Sequence, residues 1–256
     1  MSEIIVDQVS KVFATARKRT VALNETTLTI KTNETVCIVG PSGCGKTTLL
    51  NLIAGFLAPT SGTIQVGGRA VDGPGADRAV VFQADAVFPW LTVADNVAYG
   101  MRMQRVAGAE RRERVEHYLE LVGLADFRKA YPKELSGGMR KRVDLARAYA
   151  SGPGVLLLDE PFGALDLFTK EAMWLALAGV VAAEPKTSVF VTHDIEEALF
   201  LGDRVIVMTP RPARVHSILE VPFGANRGLD LRATPAFQSL RNEIAHTLRE
   251  VHDDAA

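Results

Sequence analysis

Val36-Cys37-Ile38-Val39-Gly40-Pro41-Ser42-Gly43-Cys44-Gly45-Lys46-Thr47-Thr48 decides the fold. Four consecutive apolar residues read as a strand covered on both faces. The next eight, Gly40 to Thr47, match G-x-x-x-x-G-K-[ST]. Leu49, Leu52, Ile53 and Phe56 then follow at helical spacing, which predicts a helix over 47–56. A strand, a glycine turn and a helix in that order form a phosphate cradle. Glycines let successive N–H groups point inward, and the helix start adds its positive end. Lys46 supplies a full charge for the β- and γ-phosphates, and the Thr47 hydroxyl is a ligand for Mg²⁺.

Outward from this stretch, three more runs are apolar on consecutive positions: Val155–Leu158, Val189–Val191 and Val205–Met208. Helical patterns separate them, which is the α/β signature with a parallel sheet. Residues 3–9, 26–32 and 62–66 read as short strands of a small antiparallel sheet. Ala14–Thr20 reads as a basic loop, and the proline-bearing 210–228 as a strand-and-loop exit from the core. A last helix is predicted, with Phe237, Leu240, Ile244, Leu248 and Val251 packed on the parent domain.

The second chemical signal is Val155-Leu156-Leu157-Leu158-Asp159-Glu160, a strand ending in two carboxylates. Ligand sites of parallel sheets lie beyond the carboxyl ends of the strands. Adjacent acids there repel unless a cation is near, so Asp159 fits a Mg²⁺ role. Glu160 is placed to accept a proton from an attacking water. The third signal is Leu135-Ser136-Gly137-Gly138-Met139 ahead of a helix from about Met139 to Ala150. Ser136 is a good N-cap, and bare glycine N–H groups make a second anion site.

Composition closes off other classes. Of 256 residues, 47% are hydrophobic and 23% charged, a globular balance. Lys and Arg number 29 against 30 for Asp and Glu, so there is no basic excess for nucleic acid. The longest apolar stretch, Ala172–Ala183, is twelve residues, too short for a span, and predicts a well-buried helix. No signal peptide is visible at Met1–Ile5, which predicts a cytosolic chain. Cys37 and Cys44 fit neither a zinc site nor a disulfide framework.

The ordered set Gly40–Thr47, Gln83, Leu135–Met139, Val155–Glu160, Gly163-Ala164-Leu165-Asp166 and His193 resembles the ATP-binding subunit of ABC transporters. These positions match its Walker A, Q-loop, signature, Walker B, D-loop and switch histidine over roughly residues 3–220. Phe88–Val97, Asp159–Asp166 with Phe168-Thr169, Thr192–Leu201 and Pro210-Arg211-Pro212 look like the nitrate/sulfonate/taurine importer group, and Gly73–Arg78 fits the same group, with taurine-type members most similar. The resemblance implies a P-loop NTPase (RecA-like) core with a mostly parallel sheet, a small N-terminal antiparallel β subdomain and a helical insert at about 88–152. Residues 1–225 would be the nucleotide-binding domain and 226–256 a C-terminal helical extension.

It further implies a head-to-tail dimer, with itself or a paralogous ATPase subunit. Each ATP would lie on Gly40, Pro41, Ser42, Gly43, Cys44, Gly45, Lys46, Thr47 and Thr48 of one chain and against Ser136, Gly137 and Gly138 of the other. Glu160, His193 and Gln83 would be catalytic, and Thr47, Gln83 and Asp159 would serve Mg²⁺. Asp166 would shape the interface. Phe13 stands where relatives stack an aromatic on adenine, or else is a core Phe at the edge of the small sheet. Phe88, Pro89 and Trp90 are contacts to a membrane subunit or are buried in the insert. Two transmembrane permease subunits, a periplasmic or lipid-anchored solute-binding protein and a place on the cytoplasmic face of the inner membrane complete the expectation. The weighed alternatives are a soluble ABC ATPase of repair or translation and a P-loop metabolite kinase. Lys141 and Asp144 depart from the usual pattern, and Asp144 has no role in it.

Overall fold

The computed structural model describes residues 2–15, 18–163, 165–224 and 227–253. Two long strands open the chain, β1 (Ile4–Ala14) and β2 (Arg19–Ile30), followed by β3 (Thr35–Val39) and α1 (Lys46–Ala54). Next come β4 (Ser61–Val66), β5 (Arg69–Ala70) and β6 (Arg78–Val81). Three α-helices follow: α2 (Val93–Met103), α3 (Gly108–Leu121) and α4 (Gly137–Ala150). Strands and helices then alternate through β7 (Val155–Asp159), α5 (Leu167–Ala183), β8 (Thr187–Val191), α6 (Ile195–Leu201) and β9 (Arg204–Met208). The last elements are β10 (Val215–Glu220) and α7 (Pro235–Asp253).

Consecutive apolar residues work because both faces of the main sheet are covered. Its order is β10-β9-β3-β8-β7-β6, parallel except for β10, which runs antiparallel on β9. Val36 and Ile38 face one layer with Leu49, Leu52 and Ile53 of α1, together with Ile4 and Val6 of the second sheet. Cys37 and Val39 face the opposite layer, with the remaining helices. That second sheet is antiparallel, in the order β2-β1-β4-β5. Both cysteines are free and buried.

The structure corrects several boundaries. β1 and β2 are longer than the predicted strands and stay paired out to Ala14 opposite Arg19. Most of the predicted loop at Ala14–Thr20 is therefore hairpin, apart from Ala16 and Arg17, which lie outside the described residues. The outer end of that hairpin has no core beneath it, so its residues lack the alternation that marks a half-buried strand. α1 ends at Ala54 because Gly55 takes the left-handed conformation, φ 80°, and Phe56 leaves the helix to stack on Phe82. α5 is not buried all round. Met173, Trp174, Leu177 and Val180 are buried, whereas Ala172, Leu175, Gly179 and Ala182 face solvent. A helix apolar on every side hides its inward face from any periodicity argument.

The terminal stripe does pack on the parent core, with Phe237, Ile244 and Val251 buried and Leu240 and Leu248 half-buried. Each such side chain contributes about 1.5–3 kcal/mol. Arg227 rivets the approach to this helix by donating to the Leu199 and Gly202 carbonyls at 2.9 and 2.8 Å. No helix among the described residues is long and apolar enough to cross a membrane.

Candidate active site

The turn after β3 can be built only from glycine at two places. A Cβ on Gly40 would stand 2.9 Å from the Met208 carbonyl oxygen. Gly45 has φ 132°, and a Cβ there would stand 2.9 Å from the Ala22 oxygen. Gly45 caps α1 without any side-chain hydrogen bond, and no acid occupies the first turn. The first N–H groups of α1 are thus left for a ligand, with the positive end of the helix behind them. Lys46 is buried and donates to the Gly40 and Pro41 carbonyls at 2.8 and 3.1 Å. The cavity over this turn has a volume of about 240 Å³. Its walls include Lys46, Thr47, Thr48 and Glu160, with Phe13 at an apolar edge. Phe13 is 40% exposed, which retires the core reading of that residue.

The two carboxylates after β7 take different positions. Asp159 accepts from the Thr47 hydroxyl at 3.0 Å. Burial pushes its pKa above the usual carboxylate range, the Thr47 hydrogen bond opposes the rise, and the Glu160 charge adds to it. A hydroxyl and a carboxylate this close are two hard oxygen donors. Among the described residues no three His, Cys, Asp or Glu side chains cluster as a metal site. That donor set fits Mg²⁺, which keeps waters and takes phosphate oxygens, and does not fit zinc.

Glu160 sits at φ 43°, a rare conformation for a side chain with a Cβ. Its N–H donates to the Val191 oxygen at 2.9 Å, which ties this backbone to β8. The turn brings Glu160 Oε2 to 3.2 Å from His193 Nδ1. A Cβ on Gly163 would lie 3.7 Å from both Gln83 Nε2 and Glu160 Oε2. The amide of Gln83, the carboxylate of Glu160 and the imidazole of His193 therefore meet at the ends of three parallel strands. Gly40, Pro41 and Ser42 share a neighbouring cavity of about 510 Å³ with His193 and the last turn of α7. Cys44 is buried beneath the loop and contributes backbone alone.

Ser136, Gly137 and Gly138 line neither cavity. Ser136 caps α4, its hydroxyl accepting from the Met139 N–H at 3.3 Å. A Cβ on Gly138 would lie 2.4 Å from Thr169 Cγ2, so a larger residue there would have to displace the Thr169 side chain. Asp166 caps α5 and accepts from the Thr169 N–H at 3.1 Å. Its hydrogen bonds with Thr169 hold its carboxyl below the usual range. Ala164 lies outside the described residues. One chain thus presents two separate helix-start surfaces.

α4 holds the Gln83 segment through residues that no local sequence pattern marks. Lys141 Nζ donates to the Phe82 and Gln83 carbonyls at 2.9 and 3.1 Å. Asp144 accepts from the Ala86 N–H at 3.0 Å and from Arg147 at 2.8 Å. Arg140 reaches Asp85 at 2.7 Å. Positions 140, 141, 144 and 147 share one face of α4, the i, i+1, i+4, i+7 pattern. Lys141 and Asp144 are 3% and 2% exposed, so Asp144 is a buried anchor. Burial raises the Asp144 carboxyl, with the Ala86 N–H and Arg147 opposing it; burial likewise lowers the Lys141 ammonium against the pull of Asp144. Breaking such a pair from one side costs about 3–5 kcal/mol. Asp144→Ala is expected to lower the thermal midpoint by roughly 10 °C in a chain of this size. Lys141→Met/Asp144→Leu is expected to lose less than the sum of the two single variants, because the two most deeply buried charges leave together, although Arg147 gives up its carboxylate. A midpoint for Asp144→Ala within about 2 °C of the parent rules this anchor out.

Fold and site together define the class: a P-loop nucleotide triphosphatase cassette. A family model described as ABC transporter matches residues 23–163. The chain belongs to the ABC transporter family. It is 48% identical over 254 residues to the taurine import ATP-binding protein TauB of Rhizobium johnstonii, covering 97% of each chain. It is 45% identical over 250 residues to TauB of Pelagibacter ubique, covering 95% of this chain and 94% of the relative. The nitrate import ATP-binding protein NrtD of Synechocystis gives the same identity and coverage. Among solved structures, the dimer of the bacterial ABC transporter cassette MJ0796 matches with a TM-score of 0.75 and 33% identity. That match covers 86% of this chain and all of the other.

Proposed function

We propose that this chain is the ATPase subunit of an ABC importer, working as a head-to-tail dimer that closes on two ATP molecules. The observation that carries the reading is the division of the site. The phosphate cradle, Asp159, Glu160 and His193 meet at one place, while Ser136–Gly138 open elsewhere on the same chain. Two chains facing head to tail would bring the second surface over the first. Lys46 and the first turn of α1 bind the polyphosphate, and Phe13 supports the base. Thr47 and Asp159, with Gln83 beside them, would hold Mg²⁺, which neutralises phosphate charge and orients the terminal group. Glu160 takes the proton of the attacking water. His193 holds Glu160 in place and faces the terminal phosphate. Asp166 shapes the junction between chains.

Residues 1–225 are read as the cassette, with a helical insert at about 88–152, and 226–256 as an extension; the division falls on Ala225 and Asn226, outside the described residues. The relatives' names, which print taurine and nitrate, favour a small cargo that carries an anionic group, and another sulfonate is of the same chemistry. An importer ATPase would work with two permease subunits and a solute-binding protein, on the cytoplasmic face of the inner membrane. The test is direct: the purified chain should hydrolyse ATP with Mg²⁺ and stop when the metal is chelated. Turnover that ignores chelation contradicts the assignment.

Phe88, Pro89 and Trp90 are the proposed contacts to the permease. Trp90 is 71% exposed, and its ring leans on Phe88 at 5.6 Å. Phe88 is half-buried between Tyr99 and the Arg147 guanidinium. Trp90→Ala should leave the thermal midpoint of the isolated chain within about 2 °C, whereas removing a core Trp costs ~3–5 kcal/mol. Aromatic anchors at interfaces commonly cost more than ~2 kcal/mol when truncated. The assembled transporter should therefore bind the variant at least tenfold more weakly. Unchanged assembly would remove Trp90 from the interface.

A further inference from the structure

The turn between β9 and β10 leans over the phosphate loop, and it carries Arg211. Its position is pinned from both sides. Ala213 is buried, its N–H donates to the Ala22 oxygen at 3.2 Å, and its carbonyl accepts from the Asn24 N–H at 2.8 Å. Thr209 and Arg214 close the turn, with the Thr209 N–H donating to the Arg214 oxygen at 3.0 Å. Arg211 is thus held at the tip by backbone contacts that do not involve its own side chain.

From that tip the guanidinium reaches into the cavity over Lys46 and Thr48. Nε donates to the Gly43 carbonyl at 2.6 Å. A Cβ on Gly43 would stand 3.0 Å from one of the terminal nitrogens, so a second nitrogen of the fork also lies beside the loop. Five N–H donors belong to an arginine, and this contact uses one. Among the described residues no carboxylate pairs with Arg211. Glu160 shares the cavity, but its Oε2 is turned to His193. Two arginines elsewhere in the C-terminal part are already partnered. Arg232 pairs with Glu171 and Glu196, and Arg227 donates to carbonyls at the end of α6. An unneutralised planar fork beside a helix start and a lysine suits an anion with several oxygens.

We propose that Arg211 is a further nucleotide-binding residue, its free guanidinium nitrogens contacting the polyphosphate of the bound nucleotide. The proposal rests on reading this cavity as the ATP site. It adds a residue from outside the phosphate loop, 168 positions from Gly43 along the chain. The turn that carries it is fixed before any ligand arrives, so the charge is delivered with little ordering cost.

Equilibrium binding of MgATP and MgADP to the full purified chain, at low and high salt, tests this. Arg211→Gln keeps a donor for the Gly43 carbonyl and removes the charge. It should weaken both nucleotides about tenfold, as Arg211→Ala should, and flatten the salt dependence. Arg211→Lys should recover part of the loss, which also controls for misfolding. Binding by Arg211→Gln within twofold of the parent overturns the proposal. So does normal binding by Gln with weak binding by Ala, because that pattern makes Arg211 a brace for the loop. A parent chain that binds no MgATP overturns the ATP reading and this proposal together; a parent that binds while the Gln variant binds equally overturns this proposal alone.

Discussion

Glu160→Gln is expected to stop ATP turnover while nucleotide affinity stays within a few-fold of the parent. The amide has the shape of the carboxylate and cannot accept the proton of an attacking water. Loss of a general base costs roughly 10²–10⁴ in rate. Nothing else in the cluster replaces it. The Gln83 amide is no base, and His193 is engaged with the same carboxylate oxygen at 3.2 Å. The backbone should not move, because the N–H of residue 160 donates to the Val191 oxygen whatever the side chain. Binding should even gain, since the Glu160 charge is one cause of the raised pKa of Asp159. Without it, Asp159 ionises more readily and holds a cation better. On the proposed two-chain arrangement, unhydrolysed ATP then bridges the partners, and the variant elutes as a dimer only with MgATP. Turnover within tenfold of the parent means that another group is the base. A variant that binds ATP and stays monomeric counts against the closed dimer.

The parts of this site legible in the chain carry a local pattern. Ser136 and Asp166 cap helices within three residues of themselves, and Gly40 and Gly45 belong to one short phosphate-loop motif, although the groups that crowd them, Met208 and Ala22, lie far off in the chain. Such patterns can be read without the neighbours that enforce them. The Lys141–Asp144 anchor is not local: its backbone partners lie 58 or 59 residues away, and a buried ion pair has no periodic signature. Arg211 is further removed still. In the sequence it is a surface arginine between two prolines, and only the hairpin on β2 carries it to Gly43. The burial of α5 failed for the opposite reason, an excess of signal. With apolar residues on all sides, only the neighbours decide that Trp174 is inside and Leu175 outside. Trp90 shows the same limit, because an aromatic in an insert reads alike as core or contact until its exposure is known.

Lys46→Ala is expected to abolish hydrolysis and most of the nucleotide binding. Removing one preorganised donor from a site of developing charge costs about 10²–10³ in rate. Here the loss includes a full positive charge held 5% exposed, where Coulomb interactions are weakly screened. The stem of Lys46 lies at the start of α1, and its ammonium sits on the Gly40 and Pro41 carbonyls. Alanine leaves those carbonyls facing the place where phosphate oxygens would lie, so the cradle turns from attractive to repulsive. The fold should survive, because the contacts that fix α1 between the sheets come from Leu49, Leu52 and Ile53. Ligand-induced stabilisation separates binding from folding. A ligand at a hundred times its Kd raises stability by about 2.7 kcal/mol, roughly 5–10 °C in midpoint for a chain this long. The parent should show that rise with MgATP, and Lys46→Ala should melt at the same temperature with or without it. A variant that keeps the rise and turns over within twofold of the parent would falsify the phosphate-loop assignment. A variant that keeps the rise but loses turnover moves Lys46 from binding to the transition state alone.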